Sequence, residues 1–236
     1  GLVLWWPKNK AAAKQRFWFR WKDATQWKRK NYDLHNILGF YSSFLLLIIA
    51  VTGIFFGIQW FTYLIYNAAG GEKELLFTEP VSQKPVAANF KKPATDLIWE
   101  KMKAEHPDAV SIEVHAIESD SSAIGANVNS REGVYWSIDY RYFDQYTLKE
   151  IPVSHVYGRL NEANVADKLI RMTYDIHTGG ILGFAGKVLA FLLSVVATSL
   201  PVTGFLVWWG RRGYGRKKTK PASARSDVQI KVNTSV

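Results

Sequence analysis

The 236-residue chain contains no cysteine, which excludes disulfides and thiolate-ligated metal sites. A segment exported from the cytoplasm would have to rely on its own core. A second absence is local. No Asp, Glu, Lys or Arg occurs between Leu34 and Gly71, and Lys187 is the one charge between Ile176 and Gly210. Each stretch exceeds the roughly 20 apolar residues that cover a hydrocarbon core about 30 Å thick. Only helices or closed barrels satisfy their backbone at that depth, so each stretch predicts a transmembrane helix. Buried helices of a soluble protein rarely stay uncharged for so long. Nothing resembles a charged n-region followed by an apolar stretch and a cleavage site.

The charges that are present divide unevenly. Of the formal +10, residues 1–33 carry +7, residues 211–236 carry +7 and residues 72–175 carry −5, with Lys187 supplying the last positive charge. Lys and Arg flanking membrane helices stay on the cytoplasmic side. Both ends are therefore expected in the cytoplasm and the acidic middle outside. Basicity then reports topology and contact with anionic membrane lipid, with no part for nucleic acid. Aromatics interleaved with the basic residues, as in RFWFRW (Arg16 to Trp21) and WKRKNY (Trp27 to Tyr32), fit an interfacial belt with snorkelling cations.

Residues 1–6, GLVLWW, repeat the pattern of Gly204 to Trp209, with Gly and both Trp identical. The predicted organisation continues with a basic interfacial segment 7–33 and a membrane helix 34–66 whose outer end is marked by Trp60, Tyr63 and Tyr66. An extended linker 67–94 carries Pro80, Pro85 and Pro93. Residues 95–175 read as a small α+β domain. Its elements are a helix from Thr95, a plausible N-cap, to the stop at Pro107, strand-like AVSIEVHAI, AIGANVNS and GVYWSIDYRYF, a turn at Gly133, and a helix that feeds directly into the second span. That span covers 176–210 with Pro201 inside it, expected to kink it, and 211–236 is a basic tail. The fold class is thus an α-helical membrane protein with two complete transmembrane helices and an extracytoplasmic α+β domain between them.

Two of the five histidines sit at the membrane helices, His35 in LHNILG and His177 in IHTGGILG. An ionisable side chain at membrane depth is a functional hypothesis by default, and imidazole is a common haem iron ligand. Gly39 lies four residues after His35 and Gly180 three after His177, on the same helical face, where glycine leaves room for a flat macrocycle. An interfacial histidine bonded to water or headgroups is the other reading. His35 lies toward the cytoplasm and His177 toward the outside, too far apart to share one iron, so two haems at two depths are required. Lys187 pairs with a haem propionate, snorkels to the interface or pairs with another helix. His106, His115 and His155 read as solvated.

RKNYDLHNILGFYSSFLLLIIAVTGIFFG and YDIHTGGILGFAGKVLAFLLSVVATSLPVTGFLVWWGRR resemble the PepSY-associated transmembrane family of bacterial inner-membrane proteins. The intervening loop is similar to a PepSY domain, with FDQYTLKEI in place of that domain's Asp-Pro-x-Thr-Gly-Glu turn, Gln145 standing for Pro and Leu148 for Gly. The resemblance implies two helix pairs in the full-length protein, of which this chain is the C-terminal one and residues 1–6 the inner end of a preceding helix. It also implies two haem b groups, with His35 and His177 as axial ligands, each paired with a histidine from the missing pair or from a second copy. Some members are dihaem reductases of ferric siderophores. The expected function is haem-dependent electron transfer from a cytoplasmic donor to a periplasmic ferric chelate in iron uptake. The competing expectation is a membrane-anchored PepSY module that binds or regulates a partner without redox activity. No GxGxxG fingerprint beside a strand-helix unit identifies the donor.

Overall fold

A computed structural model describes Pro7 and residues 9–83 and 90–212. The apolar stretch 1–6 and the tail from residue 213 lie outside the described residues. A short helix, α1 (Lys10–Phe17), comes first. It rests on the long α2 (Trp27–Gly57) through an edge-to-face contact of Phe17 with Phe40 and a hydrogen bond from Tyr41 Oη to the Phe17 carbonyl. The first turns of α2 are polar but anchored. Asp33 is buried, accepts from Trp21 Nε1 at 3.2 Å and pairs with Arg29 at 3.0 Å.

The expected single span 34–66 is two helices. α2 stops at Gly57, Ile58 adopts extended backbone, and α3 (Gln59–Ala68) follows. The Thr62 hydroxyl donates to the Phe55 carbonyl at 2.8 Å, satisfying an acceptor that the break releases from the helical ladder. Tyr66 does not mark a water interface. It is buried and donates its hydroxyl proton to Asp167 Oδ1 at 2.6 Å.

Beyond the helices, α4 (Ala94–Glu105) packs on a three-stranded antiparallel sheet in the order β1 (Ser111–Val114), β2 (Ile124–Asn129), β3 (Asp139–Phe143). The period-two pattern of β2 puts Ile124, Ala126 and Val128 on one face with Phe143, against Ile98 and Met102 of α4. The N-cap of α4 is Pro93, without a side-chain cap, so Thr95 already lies inside the helix. The described part of the expected linker is knitted to this domain by bridges of Glu74 to His155 and Val81 to Ser122. Packing adds to this pairing, with Leu75 against the buried cluster of Tyr66, Val156, Ala166 and Ile170, and Phe77 against Tyr142 and His155.

After β3 the chain turns sharply around Asp144. This carboxylate accepts from the backbone N–H of Tyr146 at 3.0 Å, Thr147 at 2.8 Å and Gln83 at 2.7 Å. Burial works against its charge, and these hydrogen bonds outweigh burial, holding the group below the usual carboxylate range. Leu148 takes φ +56° in the same turn, a left-handed conformation that glycine adopts without cost. Its side chain packs on the sheet-helix core.

α5 (Val165–Thr178) opens with a capping box between Asn164 and Asp167. It does not run into the second span as expected. Gly179 at φ +79° ends it, a 3-10 turn covers Gly180–Leu182, and α6 (Gly183–Arg212) begins afresh, continuing through Pro201. A Cβ on Gly179 would run into the Gly186 carbonyl, and one on Gly186 into the Gly179 carbonyl. Two backbones in contact leave no alternative to glycine. α2 and the stretch Gly180–Arg212 are each long and apolar enough to cross a membrane.

Two outcomes are expected. Gly179→Ala combines a strained φ with backbone overlap, so thermal unfolding of the detergent-solubilised chain should show a loss of about 2 kcal/mol or more. The depressed Asp144 stabilises fully above its unfolded pKa of about 3.9, and that contribution disappears as pH falls through its lower folded value. Asp144→Asn should therefore cost about 1–3 kcal/mol at neutral pH and flatten the acid limb of a stability profile recorded between pH 2 and 5.

Candidate functional site at the two membrane histidines

α2 and α6 pack antiparallel, with Gly39 of α2 against Leu200 of α6 at an ordinary contact distance. At the end of the pair where α2 starts, His35 of α2 points its Nδ1 at the Thr203 hydroxyl of α6, 3.0 Å away. A Cβ on Gly204, the next residue, would lie 3.0 Å from His35 Cε1. At the opposite end, His177 in the last turn of α5 points its Nδ1 at α2. It meets the Ile49 carbonyl and the Thr52 hydroxyl, both at 3.0 Å. A Cβ on Gly53, again the next residue, would lie 3.3 Å from His177 Cε1. The two ends repeat one device: a histidine from one helix, and a Thr-Gly pair from another that holds and makes room for its ring.

The signal for this device is in the sequence. Val51-Thr52-Gly53 and Val202-Thr203-Gly204 are the same tripeptide, one in each span. Sequence reasoning singled out other glycines. Gly39 faces Leu200, and Gly180 packs under Asp175, where a Cβ would lie 2.9 Å from Oδ1. The glycines beside the imidazoles come from the partner helix, which spacing from the histidine cannot show.

The Ile49 carbonyl can only accept, so its contact with His177 suits a proton on Nδ1, which in a neutral ring leaves Nε2 as the lone pair. Among the described residues neither Nε2, that of His35 or of His177, has a hydrogen-bond partner. Nor does any group of three or more His, Asp or Glu among them form a cluster for a bare metal ion. One imidazole per site suits the axial position of a group that brings its other donors with it. His35 and Thr52 are 17 residues apart on α2, about 25 Å at 1.5 Å per residue.

The His177 end is fixed from the extramembrane side. Asp175, fully buried two residues earlier, accepts from Tyr135 N–H at 2.9 Å and Trp136 N–H at 2.7 Å. Lys187 comes to the same loop, its Nζ 2.8 Å from where a Gly133 Cβ would be. Asp167 is likewise buried. Burial opposes its charge, but hydrogen bonds from Tyr66, Asn164 and Lys73 prevail and keep its carboxyl below the usual range. The edge of Phe56 meets the His177 ring at a centroid distance of 5.4 Å. Phe56 also lines a cleft of about 810 Å³ with Phe55, Tyr63, Tyr140, Tyr174 and Arg171. Arg171 is buried with its guanidinium bonded to the carbonyls of Val156, Ile138 and Gly158. Beyond His35, a second cleft of about 520 Å³ includes Trp27, Lys28, Asn31, Tyr32, Trp209 and Arg211. Its Asn31 donates to the Thr203 carbonyl at 3.1 Å.

The remaining histidines separate. His106 ends α4, and His115 is exposed, its Nε2 2.9 Å from Asn127 Nδ2. His155 is not solvated, contrary to expectation. It is 1% exposed among Phe77, Tyr142 and Tyr157, its Nδ1 accepts the Tyr157 N–H and its Nε2 has no partner among the described residues. Burial lowers its pKa.

Two long apolar helices that clasp a histidine at each end define a membrane protein built around paired polar sites. The model of the PepSY-associated TM region matches residues 1–211, and the chain belongs to that family. No curated protein matches it.

Helical Gly→Ala gains about 1 kcal/mol in propensity, while crowding a packed site costs about 1–3 kcal/mol. Gly53→Ala, with the longer approach, should be close to neutral in thermal unfolding. Gly204→Ala should be destabilising and should shift the His35 ring resonances in NMR spectra of the solubilised chain.

Proposed function

We propose that this chain forms half of an electron conduit across the bacterial inner membrane. His35 on the cytoplasmic side and His177 on the periplasmic side would each offer Nε2 as an axial ligand to a haem b. The observation that carries this reading is the duplicated geometry: two imidazoles, about 25 Å apart along one helix pair, each gripped at Nδ1 by another helix and without an Nε2 partner among the described residues. Haem fits this donor set because it supplies four of its own ligands, and it contributes one-electron chemistry when bound. Each haem would need one further ligand besides the histidine named here.

The protein's own contribution is orientation and access. Thr-Gly pairs seat the rings, and Asp175 braces the loop over the outer site. Lys187, beside Gly133, would offer its cation to a propionate. The 810 Å³ cleft beside Phe56 and His177 supports docking of a bulky ferric chelate such as a siderophore, with tyrosines and the positive field of Arg171 facing its oxygens. Each Fe³⁺ takes one electron to become Fe²⁺, which hard oxygen donors hold less tightly. The cleft of Trp27, Lys28 and Arg211 is suited to a cytoplasmic donor carrying negative charge.

The α4-and-sheet unit fits a PepSY-like domain. Leu148 adopts φ +56° at the place where the PepSY turn has glycine, and Asp144 and Thr147 close the turn through their side chains.

Full-length protein expressed with haem supplied should show a Soret band and about two haems per chain. His35→Ala and His177→Ala should each remove one, and ferric chelate should reoxidise the dithionite-reduced protein. A full-length protein with no Soret band would leave the anchored binding module as the better account.

A further inference from the structure

The hydroxyls of Thr52 and Thr203 have a defined direction. Thr203 Oγ1 lies 2.9 Å from the Ser199 carbonyl and 3.1 Å from that of Leu200. Thr52 Oγ1 lies 3.0 Å from the Ile48 carbonyl and 2.9 Å from that of Ile49. Each hydroxyl thus spends its one proton on its own helix, and what it turns to the histidine is a lone pair. A lone pair facing Nδ1 calls for a proton on Nδ1, and a neutral ring then leaves Nε2 bare. The bond to the outer ring differs from the one to the inner ring, because His177 also has the Ile49 carbonyl at 3.0 Å, whereas Thr203 is the only partner of His35 Nδ1 among the described residues.

We propose that Thr203 and Thr52 are positioning residues that hold His35 and His177 in the Nδ1–H form with Nε2 presented to a ligand, and that this hold is unequal. Thr203 alone determines the state of His35, while Thr52 shares His177 with a backbone carbonyl that no side-chain substitution removes. The consequence for ligand strength rests on the haem reading above. An N–H that is hydrogen-bonded makes the opposite nitrogen a stronger donor, so the doubly accepted His177 is the more electron-rich ligand. Loss of Thr203 should weaken the inner site, and loss of Thr52 should leave the outer site nearly intact.

The test separates the two claims. ¹⁵N-histidine NMR of the solubilised chain without haem, at a pH where the rings are neutral, reads the tautomers directly. Both rings should be Nδ1–H in the wild type. Thr203→Val, equal in shape, should abolish that preference at His35, Thr203→Ser should restore it, and Thr52→Val should leave His177 unchanged. In the haem-loaded full-length protein, Thr203→Val should raise the midpoint potential of one haem and weaken its binding by about 10–100-fold, with little effect from Thr52→Val. An Nε2–H tautomer at His35 in the wild type, or equal responses to the two Val variants, would overturn the proposal whether or not haem binds. Absence of haem with the expected tautomers would overturn only the haem reading.

Discussion

An imidazole N–H set between apolar helices must find an acceptor, because water is not there to supply one and an unmet donor costs about 1–3 kcal/mol. In this chain the acceptor always comes from another helix. His35 of α2 depends on α6, and His177 of α5 depends on α2. The register of the α2–α6 pair and the docking of α5 are therefore tied to the same bonds that orient the rings. Shifting either contact by one residue would turn the Thr-Gly pair away by about 100° and put a bulkier side chain against the imidazole.

The extramembrane domain reinforces this arrangement through buried carboxylates. Asp167 binds Tyr66 of α3 and Lys73, and Asp175 binds the loop that leads into β3. Both carboxylates belong to α5, the helix that ends in His177. His177 is thus positioned by a helix clamped to the domain on one side and hydrogen-bonded to the long apolar helix α2 on the other. Glycines 179 and 186 close the remaining corner by direct backbone contact. Arg171, with its charge satisfied by carbonyls, gives the neighbouring cleft a positive wall without a carboxylate partner within ion-pair distance among the described residues.

Much of this was legible in the residues. The uncharged runs marked both long helices, and the alternation of Ile124, Ala126 and Val128 marked the central strand. His35 and His177 stood out as polar groups in apolar surroundings. Less legible were the breaks. Gln59 to Ala68 is as apolar as the helix before it, so the extended Ile58 leaves no mark in composition, and the Thr62 bond that stabilises the break spans seven residues. His155 looked solvated because it falls in a loop between the regular elements. The aromatic rings that bury it come from residues 77 and 142.

What the sequence determined by itself was which segments must leave water and which polar groups would go with them, since transfer energies belong to single side chains and add along the chain. The partners of those polar groups were decided by the tertiary structure. Hydrogen bonds are directional and act between segments: His35 and Thr203 are 168 residues apart, and His177 and Thr52 are 125 apart. The repeated Val-Thr-Gly tripeptide was visible from the start. Its meaning emerged only when the packing of the helices set each copy against a histidine.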